Sequence, residues 1–340
     1  MPIPAGPLHA PAPSARSPIR RALAALTLTT AVVAAAACGS SKASTSRDSN
    51  AVEKPDLTVA VVPAISAAGL YVAQQRGYFT AAGLRVKILL VASGVDAIPN
   101  LASGSVDIDE GQWAADLSAE AAGAVRLYAL AAASAGGPGV QEVVVPAGSP
   151  VTTVAQLRGK TIAVNALGGL AVLLTDNVLA DHGVPVKDVH YVPVPFPAMG
   201  ALAAQRVDAA FIAEPSLSAA EIAGGAVPLF DINQGAAQNF PISGYVVTRA
   251  WIARYPRTAA FVSALERGQQ VAATDRAAVE HALIPALPIS KTTAAVMALG
   301  TFPLSVSAVA VQRVADLTQS NGLLAKSVNT GTLVKELITR

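Results

Sequence analysis

Two acidic and two aromatic side chains stand near the ends of predicted strands, where they could recognise a small molecule. Glu110 and Trp113 follow one predicted strand, Glu214 follows another, and Phe196 lies in a proline-flanked loop after a third. Carboxylates accept hydrogen bonds and attract cations, and aromatic faces stack on rings, so this set suits a neutral or cationic nitrogenous heteroaromatic. The alternatives are structural: Glu110 caps or begins a helix, Glu214 orients the hinge or a turn with Pro215, and Trp113 packs in a core.

Small and uncharged residues complete the candidate site. Backbone N–H groups at helix starts, such as Ser93-Gly94 and the segment from Asn165 to Gly169 that includes Gly168, favour small oxyanions because the helix dipole is positive there. The same glycines could instead serve only the turns. Ser66 lies in the loop 63–69, and Gln112 lies in the loop 110–113 together with Glu110 and Trp113. No Lys or Arg occurs in the six candidate loops, which are 63–69, 92–96, 110–113, 165–169, 195–199 and 213–216.

Other kinds of chemistry find little support in the residues. His182, His190 and His281 are dispersed, and none pairs with another at a spacing typical of metal ligands. Cys38 is the one cysteine, and no phosphate-binding loop or nucleophile-elbow pattern occurs. We therefore expect no metal, no cofactor and no catalytic residues.

The N-terminal region has the pattern of an export signal that ends in a lipid anchor. Arg20 and Arg21 precede an apolar run over 22–37, which is short for a membrane span and stops at Cys38. The small residues around Cys38 resemble a bacterial lipobox, in which the cysteine is lipidated and becomes the new N-terminus. The alternatives are a buried free thiol or a soluble export signal. The export route, general secretory or twin-arginine, stays open.

Removal of residues 1–37 changes the charge balance. The formal net charge of +2 includes three arginines of this leader and no acidic residue from it, so the remaining chain carries a charge of about −1. Residues 38–55 are rich in Ser, Asn and charge, which predicts a flexible tether. The remaining chain has no stripe of Lys and Arg, so we expect no nucleic-acid partner.

From Leu57 onward, β-branched runs alternate with Ala- and Leu-rich segments, which predicts an α/β fold with largely parallel sheets. The predicted strands are 57–62, 84–91, 106–109, 125–131, 140–145, 161–164, 189–194, 208–212 and 227–231. The predicted helices are 67–76, 95–102, 113–122, one that starts at 170 and ends at Gly183, 199–205 and 216–223, and residues 245–340 are expected to be mostly helical.

A change of composition at 146–150 indicates a boundary between two lobes. We assign residues 56–145 and 243–340 to the first lobe and 146–242 to the second. The chain then crosses between the lobes twice, which places a cleft between them. Ligands bind in such clefts at the carboxyl ends of the strands.

Several segments, in order, resemble the solute-binding proteins of ABC importers, in the group that binds nitrate, sulfonates, taurine or thiamine precursors. The segments are LYVAQQRGYF at 70–79, AGLRV at 82–86, LASGSVDI at 101–108, VAQLRGKTIAV at 154–164, QRVDAAF at 205–211 and Glu214-Pro215. Each is weak alone, and their order and spacing make the combination specific.

This resemblance implies a two-lobed periplasmic-binding-protein fold of type II with a hinged interlobe cleft. It further implies a monomer on the outer face of the cell membrane that delivers a small solute to a permease and ATPase complex, with no chemical step. Enzymes such as pyrimidine synthases and menaquinone-pathway dehydratases share the fold and remain the alternative. The cysteine-rich iron motif of the synthases cannot occur here, because Cys38 stands alone.

Overall fold

Two five-stranded sheets form the framework of the computed structural model, which describes residues 52–195 and 207–334. The first sheet has the order β2-β1-β3-β10-β4, and its residues and surrounding helices are called lobe 1. Its strands are β1 (Asp56–Val61), β2 (Arg85–Leu90), β3 (Ile108–Gln112), β4 (Leu127–Ala135) and β10 (Pro241–Thr248).

The second sheet has the order β7-β6-β8-β5-β9 and forms the centre of lobe 2. Its strands are β5 (Gln141–Pro146), β6 (Thr161–Val164), β7 (His190–Pro193), β8 (Ala209–Ala213) and β9 (Ala226–Asp231). Both sheets therefore share one arrangement, in which the fourth position is occupied by a strand that arrives from the other lobe.

These two arriving strands make both sheets mixed rather than largely parallel. β10 runs antiparallel to β3 and β4, and β5 runs antiparallel to β8 and β9. The sequence analysis assigned nearly all of β5 to the first lobe, whereas the structure places all of it in the second sheet. It also left residues 245–248 in a helical region, although they lie in β10. Local hydrophobic patterns do not reveal with which sheet a buried strand pairs.

The two linkers between the lobes, 136–140 and 232–240, are hydrogen-bonded to each other. The Gly136 N–H donates to the Phe240 carbonyl at 2.8 Å, and the Gly139 N–H donates to Asp231 Oδ2 at 2.9 Å. Asn233 Nδ2 donates to the Gly137 carbonyl at 3.3 Å. Hydrogen bonds therefore connect the two linkers to each other and to the end of β9.

The helices surround the sheets, and two of them end at glycines with positive φ. Left-handed glycines end the third and fourth helices, at Gly104 with φ 76° and Gly123 with φ 76°. The bounds are α1 Ala68–Gln75, α2 Tyr78–Ala81, α3 Gly94–Ser103, α4 Trp113–Ala122, α5 Leu170–Asp181, α6 Ser216–Ile222, α7 Arg249–Arg254, α8 Ala259–Thr274, α9 Arg276–Leu283, α10 Lys291–Val296, α11 Ala308–Ser320 and α12 Thr330–Leu333. The predicted helix 199–205 lies outside the described residues.

Two apolar cores stabilise the lobes. One contains Val61, Leu70 and Leu265, from β1, α1 and α8. The other contains Leu117 of α4 on the opposite face of the first sheet, and it continues into the core of lobe 2 around Phe211. The strands between these layers are buried on both faces, which matters for the polar residues of β3. None of the helices in the described ranges is long and apolar enough to cross a membrane.

Candidate functional site

A pocket lies between the two sheets, where strands β1, β3 and β8 end. Its empty space, including the part open to solvent, is about 410 Å³. The polar lining residues are Ser66, Gln112, Ser134 and Gln141, and the apolar lining includes Ile65, Val140, Ile242 and Phe302. Of the predicted site residues, Ser66 and Gln112 therefore line it. No Lys, Arg, His or Cys is among the described lining residues.

Glu110 lies beneath this pocket, inside β3 and not in the loop after it. It is beside Val61 of β1 on one side and Tyr245 of β10 on the other, and it is 1% exposed. The Ser243 and Ser66 hydroxyls lie close enough to its carboxyl group to favour the charged form and lower its pKa, while Oε1 has no hydrogen-bond partner among the described residues. The polar sequence Ile108–Gln112 suggests a loop, but as a central strand it is fully buried.

A pair of serines connects Glu110 to the pocket surface. Ser243 Oγ lies 2.9 Å from Ser134 Oγ, and Ser134 lines the pocket. Ser66, in the short turn after β1, is the second hydroxyl that contacts both the pocket and Glu110. Hydroxyl groups that belong to the pocket lining, or pair with it, therefore lie near this carboxyl group on two sides.

Burial controls the charge of Glu110. Desolvation raises its pKa to about 8, the hydrogen bonds from Ser243 and Ser66 oppose this rise, and nearby Asp109 adds to it. Burial, and then the Glu110 charge, also raises the pKa of Tyr71 and Tyr245. Neither tyrosine hydroxyl has a hydrogen-bond partner in the described ranges. Burial therefore favours the protonated form of the Glu110 carboxyl group.

Two further acids lie on the opposite face of β3. A β-carbon at Gly111 would lie 2.5 Å from Asp116 Oδ2 and 2.9 Å from Asp109 Oδ2, so only glycine leaves room for both carboxyl groups. Desolvation raises the pKa of Asp109 to about 8 and raises the pKa of Asp116, which the charges of Asp109 and Glu110 raise further. Among the residues that the structure describes, no cluster of three ligand-type side chains could hold a metal ion.

Lobe 2 contributes amide side chains to the cleft. Gln141 lies beside Ala213 at the start of β5, lines the pocket, and its buried Oε1 has no hydrogen-bond partner in the described part of the chain. Asn165 follows β6 directly, and neither end of its buried amide has such a partner. A β-carbon at Gly169, four residues on, would lie 4.0 Å from Val95 of lobe 1. This places the Asn165 loop at the line where the lobes meet.

Both carboxyl oxygens of Glu214 have hydrogen-bond partners, and Glu214 is not among the residues that line the pocket. Its Oε2 accepts from the Ser218 N–H at 3.1 Å, and its Oε1 accepts from the Ser218 hydroxyl at 2.7 Å and the Ala298 N–H at 2.9 Å. The Ile65 N–H donates to its backbone carbonyl at 3.0 Å. Glu214 therefore joins lobe 2 to two segments of lobe 1, as in the structural alternative for this residue.

Trp113 lies in the core and does not line the pocket. The side chain is 1% exposed, and a β-carbon at Gly244 of β10 would overlap its ring. The indole therefore fills the space that this glycine leaves between β10 and α4. This arrangement corresponds to the packing alternative rather than to a stacking face for a ligand.

The remaining predicted site residues have mixed positions. Ser93 caps α3: its hydroxyl oxygen accepts from the Asp96 N–H at 3.2 Å, and its hydroxyl donates to Asp96 Oδ2 at 2.7 Å. Gly94 lies against the start of α4, where a β-carbon would be 3.2 Å from the Gln112 nitrogen. Gly168 is exposed, with φ 74°. Phe196 lies outside the described residues.

The sequence analysis missed Ser134, Ser243 and Gln141. Ser134 and Ser243 are buried hydroxyls within largely apolar strands, β4 and β10, and Gln141 begins a strand. A buried serine among mostly apolar residues was the available signal. It could not show that two serines 109 positions apart form a pair.

The site is suited to binding by hydrogen bonds. Its polar lining consists of hydroxyls and amides, which act as donors or acceptors and carry no charge. Ile242 and Phe302 supply apolar faces, and the one acid in contact with the lining hydroxyls is buried beneath them. The described lining holds no cation to neutralise a bound anion.

Comparison with known proteins identifies the family. The family model described as NMT1/THI5 like matches residues 64–278, more than half of the chain. The alkanesulfonate-binding protein SsuA from Xanthomonas axonopodis pv. citri, bound to MOPS, is 26% identical with a TM-score of 0.69, over 84% of this chain and 99% of that one. No curated protein matches the sequence.

Two more solved structures share the fold. The aliphatic sulphonate-binding protein SsuA from Escherichia coli is 21% identical, with a TM-score of 0.66, over 82% of this chain and 97% of that chain. The nitrate-binding protein NrtA from Synechocystis PCC 6803 is 17% identical, with a TM-score of 0.67, over 82% and 84%. These findings confirm the predicted α/β periplasmic-binding-protein fold and support a solute-binding role. The chain belongs to the NMT1/THI5-like family.

Proposed function

We propose that this protein is an extracytoplasmic lipoprotein that captures a small solute between its lobes and delivers it to the permease and ATPase complex of an ABC importer. The observation that carries the proposal is the interlobe pocket, which lies at strand ends and is lined by hydroxyl and amide groups from both lobes. A solute held by both lobes stabilises their closed arrangement, which a permease can recognise.

A neutral nitrogenous heteroaromatic is the solute that the lining favours. Such a ring offers acceptor atoms to Ser66 and Ser134 and to the amide group of Gln112, and apolar faces to Ile242 and Phe302. A free sulfonate or nitrate would leave its charge without a cationic partner among the described lining residues. Backbone N–H groups would then have to bind it.

A thermal-shift screen of the purified mature protein tests this function. The panel contains nitrate, taurine, aliphatic sulfonates, pyrimidines, thiamine and riboflavin. A solute at 100 times its dissociation constant should stabilise the protein by roughly 2.7 kcal/mol. A Gln141→Ala variant is altered only at the pocket wall. It should lose most of the solute-induced rise in Tm, while its Tm without solute should equal that of the wild type. A screen in which no solute shifts the Tm contradicts the proposal.

Membrane attachment is tested separately at Cys38. We propose that this residue carries the lipid anchor, because it ends the apolar run and precedes the tether. A Cys38→Ser variant should not incorporate radiolabelled palmitate and should leave the membrane fraction, while a Ser41→Ala variant should behave as wild type. Equal labelling of the wild type and the Cys38→Ser variant would contradict the anchor and leave the binding function untouched.

A further inference from the structure

A second pocket lies at the other end of the lobe 1 sheet from the interlobe pocket. Its empty space, including the part open to solvent, is about 320 Å³. Ile108, the first residue of β3, lines it, whereas Gln112, the last residue of the same strand, lines the interlobe pocket. Four residue steps along a strand separate the two lining residues by about 13 Å. The described lining residues lie within 52–130 and 251–261, so this pocket belongs to lobe 1 alone.

The lining of the second pocket is mainly apolar and includes two neighbouring rings. Leu57 and Phe261 contribute core side chains. Trp251 and Tyr255 also line the pocket, with ring centroids 5.3 Å apart and an angle of 57° between the rings. The Trp251 Nε1–H donates to Asp107 Oδ1 at 2.9 Å, so the polar end of the indole already has a partner. The pocket therefore suits a molecule with an apolar body of ring size.

One buried polar side chain of this lining has no hydrogen-bond partner. Thr258 is 4% exposed, and its Oγ1 makes no hydrogen bond with any described residue. A buried hydroxyl without a partner is destabilising, so a bound molecule that accepts its hydrogen would satisfy it.

Thr258 also leaves a helix start without its usual cap. It directly precedes α8, a helix of 16 residues, where a threonine normally accepts from the N–H groups of the first turn. Its own backbone is helical, with φ −89° and ψ −4°, and its side chain makes no such bond. Ala260 and Phe261 of this first turn line the pocket as well. The positive end of the helix dipole therefore lies beside the pocket.

The charged lining residues are two cations and one acid. Lys54 is paired with Asp107, and Arg257 Nε lies 3.7 Å from Glu53 Oε1. The Arg257 side chain is 55% exposed, and a guanidinium has five N–H donors, so this long ion pair leaves donors for a second acceptor. Together with the start of α8, these donors favour an anionic acceptor group.

We propose that the second pocket is a further ligand site, which binds a small monocarboxylate with an apolar body of ring size. The carboxylate accepts hydrogen bonds from the Thr258 hydroxyl, the first N–H groups of α8 and the Arg257 guanidinium. The apolar body packs against Leu57, Trp251 and Tyr255. This site is separate from the interlobe pocket and does not depend on the solute-binding function.

Calorimetric titration with benzoate tests the ligand class. The wild type should bind benzoate and cyclohexanecarboxylate, because both join a carboxylate to a ring-sized body. It should bind benzyl alcohol, which has the same ring but no charge, roughly tenfold more weakly than benzoate.

Two threonine variants test the position of the carboxylate. Thr258→Val should weaken benzoate binding roughly tenfold without lowering Tm, because the hydroxyl has no described partner to lose. Thr330→Val is the matched control, since Thr330 is 3% exposed and its hydroxyl donates to Gln312 Oε1 at 2.7 Å. This control should lower Tm and leave benzoate affinity unchanged.

Two further variants separate this site from the interlobe pocket. Arg257→Gln should weaken the binding of benzoate but not that of benzyl alcohol. Gln141→Ala, altered in the interlobe pocket, should bind benzoate as the wild type does. Conversely, Thr258→Val should keep the solute-induced rise in Tm that the interlobe pocket provides.

Several results would overturn the second site. They are no binding of benzoate by the wild type, equal affinities for benzoate and benzyl alcohol, and loss of benzoate binding in Gln141→Ala, which would place benzoate between the lobes. Unchanged benzoate affinity in Thr258→Val, or in Arg257→Gln if the threonine variant does not fold, would also overturn it. None of these results contradicts the solute-binding function, which fails only if no member of the solute panel stabilises the wild type.

Discussion

Replacement of Glu214 by Ala distinguishes a structural carboxylate from a ligand-binding one. Its side chain accepts three hydrogen bonds: two from the N–H and hydroxyl of Ser218 and one from the Ala298 N–H. Ser218 belongs to α6 of lobe 2, whereas Ala298 lies in the C-terminal region, 84 positions after Glu214. The substitution therefore removes a bond between two distant segments as well as local ones.

The expected loss follows from these three bonds. A hydrogen bond to a charged group contributes about 1.5–3 kcal/mol, and a buried donor left without a partner costs about 1–3 kcal/mol. Part of this loss is offset, because removal of the carboxyl group also removes the cost of burying its charge. That cost is indicated by its pKa, which desolvation raises. We expect Glu214→Ala to lower the free energy of unfolding by about 3 kcal/mol.

Urea denaturation and calorimetry check the expectation. The loss should lower Tm by roughly 5 °C, because a chain of about 300 residues has an unfolding entropy of about 0.6 kcal/mol/K. Ser218→Ala is the matched control, because it removes only the hydroxyl bond at 2.7 Å and should cost about 1 kcal/mol. A Glu214→Ala variant that is no less stable than Ser218→Ala, but has lost solute affinity, would refute the structural reasoning and return Glu214 to the binding site.

Three further predictions rest on individual side chains. Trp113→Ala should lower the free energy of unfolding, measured in urea, by about 3–5 kcal/mol, because removal of a ring that is 1% exposed leaves a cavity. Trp251→Ala, which removes a half-buried indole, is the control, and a smaller loss for Trp113→Ala than for this control would contradict the expectation. Asn165→Ala should weaken solute binding roughly tenfold in calorimetric titration with little change in Tm, because its amide has no described partner to lose. The pKa of Glu110 is raised in the folded protein to about 8, whereas it is about 4.3 in the unfolded chain. The protonated side chain therefore makes its full contribution to the free energy of unfolding below about pH 4.3, and this contribution is lost as pH rises through about 8. Urea midpoints of Glu110→Gln should therefore fall less between pH 5 and pH 8 than those of the wild type, and parallel profiles would exclude the raised pKa.

The local pattern of apolar residues was sufficient for much of the fold. The helix Trp113–Ala122 and the strand Thr161–Val164 have the bounds that the sequence predicts. Each is bounded by a clear local signal, such as Gly123 with positive φ after the helix. The family resemblance, based on short segments in order, is confirmed by the family model and the solved structures.

The limits of the local pattern are clearest at β3 and β10. The sequence ends the first of these strands at Asp109, whereas pairing with β1 and β10 extends it to Gln112 and buries Glu110. β10 begins with Pro241 and pairs with strands more than 100 positions earlier in the chain. Such pairings depend on contacts between distant segments, which no window of neighbouring residues contains.

The sequence by itself determined the alternation of strands and helices and the family, because both depend on neighbouring residues and their order. It also determined that the candidate loops carry no Lys or Arg. Only the tertiary structure decided which polar groups meet. It placed Glu214 between two lobe 1 segments, Trp113 against Gly244, and Glu110 beneath a pair of serines. The reason is physical: burial and hydrogen-bond partners are properties of space, and they change the charge and the role of a side chain whose type alone is known.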